Sequence, residues 1–360
     1  MLIDSVTPMT THEPDFRFTR PGALIAALPA VLGFVPEESL VLVSLERGEM
    51  GAVMRLDLSQ ALGGDLSHLA ELASASGADT MVAVIVDDDG AGCPMCNQNY
   101  RDLCDELTAA LSAHGMDLCA GHIVDRVEAG GRWHCVDGCG SAGAVEDPMA
   151  SPLAAAAVLD GRRLYRRRGD LQAVIAVADE NRSAALVPAI NDHAELREAD
   201  WRADPDGCGR RDVEAAIAWG GWVSDGGTLG DGELAALACA LTDVNVRDTL
   251  YALAVGTGAA AAEALWALLA RTLPDPWRAE ALVLLAFSAY ARGDGPLAGL
   301  SLEAALRGDP DHRMASMLDT ALQSVMRPEQ IRELAVTGYR LAKQLGVRLP
   351  PRRSFGRRAV

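Results

Sequence analysis

Two thiols stand with two residues between them in Cys93-Pro94-Met95-Cys96, and a second group, His134, Cys135 and Cys139, follows later in the chain. A Cys-x-x-Cys pair can hold one side of a tetrahedral zinc ion, and a separate Cys/His group can complete the shell. Zinc held by Cys93, Cys96, Cys135 and Cys139 is therefore one reading. A redox or half-site role for Cys93 and Cys96 is a second, and unreactive thiols a third. Cys104 and Cys239 fall on inward helical faces and read as small core residues.

Asp87, Asp88 and Asp89 follow an apolar strand pattern, at the strand end where open α/β sheets place ligands. Carboxylates there can hold Mg²⁺ against a phosphorylated substrate, and a metal-dependent hydrolase using Asp87–Asp89 with the Cys93/Cys96 loop is one functional alternative. A solvated acidic turn ahead of Gly90 is the other account. His122, Asp125 and His134 face one another if the second hairpin is regular, as base or metal ligands or as ordinary cross-strand neighbours. No Gly-x-Ser-x-Gly or His-Glu-x-x-His motif is present. Gly256-Thr257-Gly258 resembles a dinucleotide-binding turn but lacks the preceding strand, so it reads as an inter-helix turn. Arg162, Arg163, Arg166, Arg167 and Arg168, with Tyr165 among them, form a basic knot that can bind an anion or RNA, or pair with the chain's own acidic surface.

These residues need elements to position them. Pro21 suits a first helical turn, and Pro29 with Gly33 is expected to end that helix. Leu40 to Leu45 is a strand too apolar for a surface, joined through a Gly48 to Gly51 turn to Met54 to Leu58. On the latter, Met54, Leu56 and Leu58 share one face and Arg55 and Asp57 the other. A helix capped by Asp65, a buried strand at Met81 to Val86 and an amphipathic helix from Tyr100 to His114 follow. Strands at Leu118 to Val127 and Arg132 to Val136 close the region. In this order the strands 81–86 and 118–127 are parallel and the return strand is antiparallel. At ~3.3 Å per residue, the return carries Cys135 and Cys139 away from the Cys93 end by about the height of the sheet. Either the hairpin is misread, the loops reach around, or the two cysteine pairs are independent.

After a small-residue stretch at 140–150 the patterns are helical. Ser151 and Pro152 open a short helix closed by Gly161, and residues 185–232 are poorly patterned. From Asp231 a helical array is legible. Leu285, Ala286, Ala298, Leu302, Ala305 and Pro310, with Gly293 at a turn, match the packing positions of a tetratricopeptide unit, and a shift of about 34 residues finds Ala252, Ala264, Leu268 and Pro276. A last helix runs from Pro328 to Leu345, and the Arg-rich stretch from Gly346 to Val360 reads as disordered.

Composition bounds the partners. The chain has 360 residues and a formal charge of −18, which opposes general nucleic-acid binding. Lys343 is its single lysine, excluding a phosphate-loop or Schiff-base lysine elsewhere. The first twenty residues lack the basic start and apolar core of a signal peptide. The longest apolar-rich stretch, Ala281 to Ala291, is far below the ~20 residues of a membrane span. A cytoplasmic location is expected, where thiols stay reduced.

"LGFVPEESLVLVSL", "GRWHC" with a second cysteine soon after, "SPLAAAAVLDGRRLYRRRGDL" and "LLAFSAYARGDGPLAGLSLEAALRGDPDHR" resemble the Domain of Unknown Function 4192 family of actinobacteria, over roughly residues 20 to 325. Where the family pattern has a tryptophan pair and a doubled cysteine before proline, this chain has Trp133-His134 and Cys139-Gly140. The resemblance implies the architecture and no activity.

The expectation is an α/β protein. An N-terminal arm (1–20) precedes a mixed α/β sheet domain (21–142), a helical connector (143–230), an all-α tetratricopeptide-like region (231–345) and a basic tail (346–360). The leading function is a protein-interaction or scaffold module, its partner bound at the helical region, with no cofactor required and zinc an option that the cysteines leave open. The hydrolase is the first alternative, and nucleic-acid binding through the arginine clusters the second. No feature of the sequence sets an oligomeric state.

Overall fold

The computed structural model describes residues 20–46, 49–75, 77–159, 162–324 and 326–353. The Gly48 end of the first hairpin turn, Gly161, the N-terminal arm before Arg20 and the last residues from 354 lie outside that set. The chain forms two compact units. The first holds the residues up to Leu171 with 293–299 and 320–327; the second holds Gln172–Arg292, 300–319 and the residues from Pro328.

In the first unit, α1 (Pro21–Leu32) leads into β1 (Ser39–Glu46) and β2 (Glu49–Asp57). Pro29 does not stop α1 as expected. The helix continues one turn past it and ends at Gly33, whose φ of 76° only glycine adopts without strain and whose N–H bonds Pro29 O. Next come α2 (Leu58–Gly63), α3 (Ser67–Ser74), β3 (Thr80–Val86), α4 (Pro94–Ser112), β4 (Asp117–Val124), β5 (Arg132–Cys135) and β6 (Ala142–Ala144). The helices α5 (Pro152–Leu159) and α6 (Arg168–Gln172) follow.

Among the described residues six strands make one mixed sheet, in the order β2-β1-β3-β4-β5-β6. Only β3 and β4 are parallel, and α4 is the crossover that a parallel pair requires. Leu40, Leu42, Met54, Leu56, Met81, Ala83 and Ile85 pack with Leu69, Leu103, Leu107 and Leu111 of α3 and α4. The alternate residues Val41, Val43, Val82, Val84 and Val86 are buried as well, so both faces are covered and β1 and β3 read as unbroken apolar runs. Arg55, read above as part of a polar face, is 4% exposed. It is held by Ser39 Oγ at 2.8 Å and Asp57 at 2.6 Å, so its charge is paired rather than solvated. A register slip opposite Met81 and Val82 leaves Cys119 as an extra residue in β4.

The boundary at Leu171 lies well beyond the 142/143 division expected from the sequence. The stretch read as a connector supplies α7 (Glu180–Ala185), α8 (Val187–Ala203) and α9 (Pro205–Ser224) to the second unit. They precede α10 (Asp231–Leu241), α11 (Val244–Leu250), a 3-10 helix (Tyr251–Val255), α12 (Ala259–Thr272) and α13 (Trp277–Arg292). Then come α14 (Gly295–Gly308), α15 (Arg313–Gln323) and α16 (Pro328–Leu345). Ala252, placed on a repeat helix by the sequence, sits in the 3-10 helix. Gly293, with φ 88°, does separate α13 from α14, and Gly256 to Gly258 is a turn between helices. The residues after Gly346 are not disordered as far as Arg353. Thr257 N–H bonds Pro351 O, Arg353 N–H bonds Val255 O, and Tyr339 hydroxyl bonds Pro350 O. Among the described residues no helix is long and apolar enough to cross a membrane.

Candidate functional site

The chemistry of the first unit is set by how β3, β4 and β5 end. At the end of β3, Asp87 N–H bonds Val124 O of β4, and the carboxylate turns back over the following loop. Its Oδ1 accepts Gly90 N–H at 2.9 Å, and its Oδ2 accepts the Tyr100 hydroxyl of α4 in a very short bond. A Cβ at Gly90 would lie 2.1 Å from the Tyr100 hydroxyl oxygen, so only glycine fits this closure. Burial, and then Asp87, push the Tyr100 phenol well above its usual range. Asp87 is thus a structural acceptor, while Asp88 and Asp89 are exposed and Asp88 faces Arg126 at 4.0 Å. Tyr100→Phe should remove a charge-assisted bond and cost about 1.5–3 kcal/mol, measured by urea unfolding; an unchanged midpoint would show that the pair contributes nothing.

The loop delivers the first thiol pair. Cys93 is the N-cap of α4, Pro94 occupies the first helical position, and Cys93 Sγ accepts Cys96 N–H at 3.5 Å. That N–H, with the Cys96 thiol and Met95 N–H behind it, holds the Cys93 thiol below its ordinary value. Donating to Cys93, together with burial, raises Cys96.

The second pair lies on the other side of the sheet. Gly121 faces α4, since a Cβ there would lie 2.6 Å from Val136 and 3.2 Å from Cys104 Sγ. His122, next along, points to the opposite face, where its Nδ1 is 3.8 Å from Cys135 Sγ and its ring meets Trp133 edge-on at 5.2 Å. Beyond Cys135 the chain turns through Gly138 (φ 71°) and Gly140 (φ 86°), and Cys139 N–H bonds Asp137 Oδ1 at 2.9 Å. This turn brings ligand atoms of Cys135, Asp137 and Cys139 within 4.8 Å of one another, the one such donor group among the described residues.

Of the four cysteines read as a zinc set, the structure therefore gathers Cys135 and Cys139 and leaves Cys93 and Cys96 together at the start of α4. Alternation along β5 explains the separation: His134 turns toward α4, with Nε2 3.4 Å from Asn97 Oδ1, and Cys135 turns away. His122 and His134 do not converge for the same reason. Asp125 is occupied in capping, its Oδ1 accepting Arg126 and Arg132 N–H. The sequence reading missed Asp137 as a donor, although a Cys-x-Asp-x-Cys spacing with glycines on either side of Cys139 was there to be read.

Charge in this turn opposes a free thiolate. Burial, then the Cys139 thiol and the Asp137 carboxylate, push the Cys135 thiol up to about 11. A divalent ion at the same point reverses each of those charge effects and deprotonates a coordinating thiol. Burial lowers His122, with Asp137 opposing it, which favours the neutral imidazole a metal needs.

The arginine knot is partly used up within its own unit. Arg162 donates to Ala30 O at 3.3 Å, Arg167 is 3.6 Å from Glu37, and Tyr165 is bridged to Phe34. Arg168 is half-buried, while Arg163 and Arg166 are exposed and make no ion pair among the described residues.

The fold and these clusters define a class: a mixed α/β unit with one thiol pair at the start of α4 and another at the end of β5, followed by an all-helical unit. The family model described as "Domain of unknown function (DUF4192)" matches residues 21–329, and the chain belongs to that family. No curated protein and no solved structure matches the chain.

Proposed function

We propose that this chain is a zinc-holding interaction module, with the ion at Cys135, Asp137, Cys139 and His122. The observation that carries the reading is the convergence of Cys135, Asp137 and Cys139 within 4.8 Å, with His122 against Cys135. Two thiolates, a carboxylate and an imidazole are a donor set that zinc accepts, and four protein ligands fill a tetrahedral shell. The three-residue donor group does not itself include His122; with His122 drawn in as fourth ligand the shell would leave no position for a reactive water, and the ion would fix the β4–β5–β6 end of the sheet rather than hydrolyse. All eight cysteines are free thiols, which agrees with a reducing, cytoplasmic setting.

The second unit supplies the partner surface in this reading. Helix α8 buries Ile190 and leaves Leu196 and Trp201 exposed. Cobalt(II) substitution tests the metal centre directly. Titration of the metal-free full chain should give saturable absorption with thiolate-to-cobalt charge transfer at about one ion per chain, lost in Cys135→Ser. Absorption that survives Cys135→Ser and disappears in Cys93→Ser would overturn the assignment.

A further inference from the structure

Cys93 and Cys96 belong to no metal-donor group among the described residues, and Asp87, the carboxylate whose charge acts on both thiols, is engaged by Gly90 and Tyr100. Their setting is a Cys-x-x-Cys in the first turn of the crossover helix of a β3–α4–β4 unit, a placement that suits reversible dithiol chemistry. Cys93 is partly accessible, with exposed Gly92 before it and Met95 beside it at 76% exposure, so an incoming sulfur has a path. Cys96 lies one helical turn on, its side chain packed against the α4-side core and its N–H on Cys93 Sγ.

We propose that Cys93 and Cys96 form a dithiol–disulfide couple that exchanges with disulfide substrates of the glutathione type, with Cys93 attacking and Cys96 resolving. The Cys93 thiolate attacks one sulfur of the substrate disulfide, whose S–S bond breaks. One substrate thiolate leaves and takes a proton from solvent. Cys96 then gives up its proton, its thiolate attacks Cys93 Sγ in the mixed disulfide, and the second substrate thiolate leaves and is protonated. The two protein thiols lose two electrons and two protons, and the substrate gains both as two thiols. The hydrogen bonds set the order of attack, because the N–H of Cys96 stabilises the Cys93 thiolate while Cys96, donating to Cys93, keeps its proton longer.

The test is equilibration of the full chain in reduced and oxidised glutathione, acid trapping, alkylation and peptide mass analysis. Oxidising buffer should remove two of the eight alkylatable thiols in one step and join Cys93 to Cys96. Cys96→Ser should accumulate a glutathione adduct on Cys93, while Cys93→Ser should modify Cys96 more slowly. In the wild-type chain Cys93 should alkylate faster than the exposed Cys119. No bond between Cys93 and Cys96 in oxidising buffer, or alkylation of Cys93 no faster than Cys119, would overturn the proposal. Because Cys135 and Cys139 are scored on a separate peptide, loss of this activity is distinguishable from loss of zinc.

Discussion

Exchange of Cys135 and Cys139 for serine should reduce bound zinc to background and lower the thermal midpoint of the wild-type holoprotein. Ligand linkage sets the size: at free zinc a hundredfold above Kd, the ion stabilises the native state by about 2.7 kcal/mol. For a unit of this size that corresponds to about 5–10 °C. In metal-free buffer the same double variant should differ little from wild type, because Cys139 is exposed and Cys135 only half-buried. The dependence on metal separates a ligand role from a packing role. Acid should release the ion as thiolates and imidazole take up protons. A midpoint difference of equal size with and without zinc would instead make Cys135 and Cys139 packing residues.

Gly338→Val should destabilise the second unit by about 2–3 kcal/mol. Gly338 sits where α16 crosses α11 and the 3-10 helix after it, and a Cβ there would lie 2.8 Å from Ala252 Cβ and Thr249 O and 2.9 Å from Asp248 O. Two of those neighbours are backbone atoms, which cannot rotate away as a side-chain tip can. Replacing a helical glycine gains less than about 1 kcal/mol in propensity, so the clash wins. Gly232→Ala in α10 should show the opposite sign, stabilising by about 0.4–1 kcal/mol, because nothing lies within 4 Å of the position. Urea unfolding of the pair tests this, and equal midpoints for both variants would mean that α16 is free to shift.

Strands announced themselves in the sequence where both sheet faces are buried, as in Leu40 to Leu45 and Met81 to Val86, because every residue there is apolar. The same burial misled at Arg55, where a charged residue in strand alternation looked solvated but is buried and paired. Helices α8 and α9 were illegible for another reason. Their contacts rest on Ile190 and on small residues such as Gly207, Cys208, Gly209, Ala216 and Gly220, which carry no hydrophobic period although Gly220 comes close to the backbone of Ala261. The cysteines were legible as donors but not as sets. Deciding which pairs meet requires the face each residue takes, and that depended on the slip at Cys119 and the alternation of β5, neither visible in spacing. Asp137 went unread because an aspartate in a Gly-rich turn is common without a metal.

The central claim, zinc at the Cys135 turn, is tested most directly by metal analysis of the full chain purified without chelator or added metal, beside Cys135→Ser and the Cys93→Ser, Cys96→Ser double variant. About one zinc per chain is predicted for wild type and for the Cys93/Cys96 variant, with background levels in Cys135→Ser. Background zinc in wild type after incubation with the ion, or an undiminished level in Cys135→Ser, would contradict it.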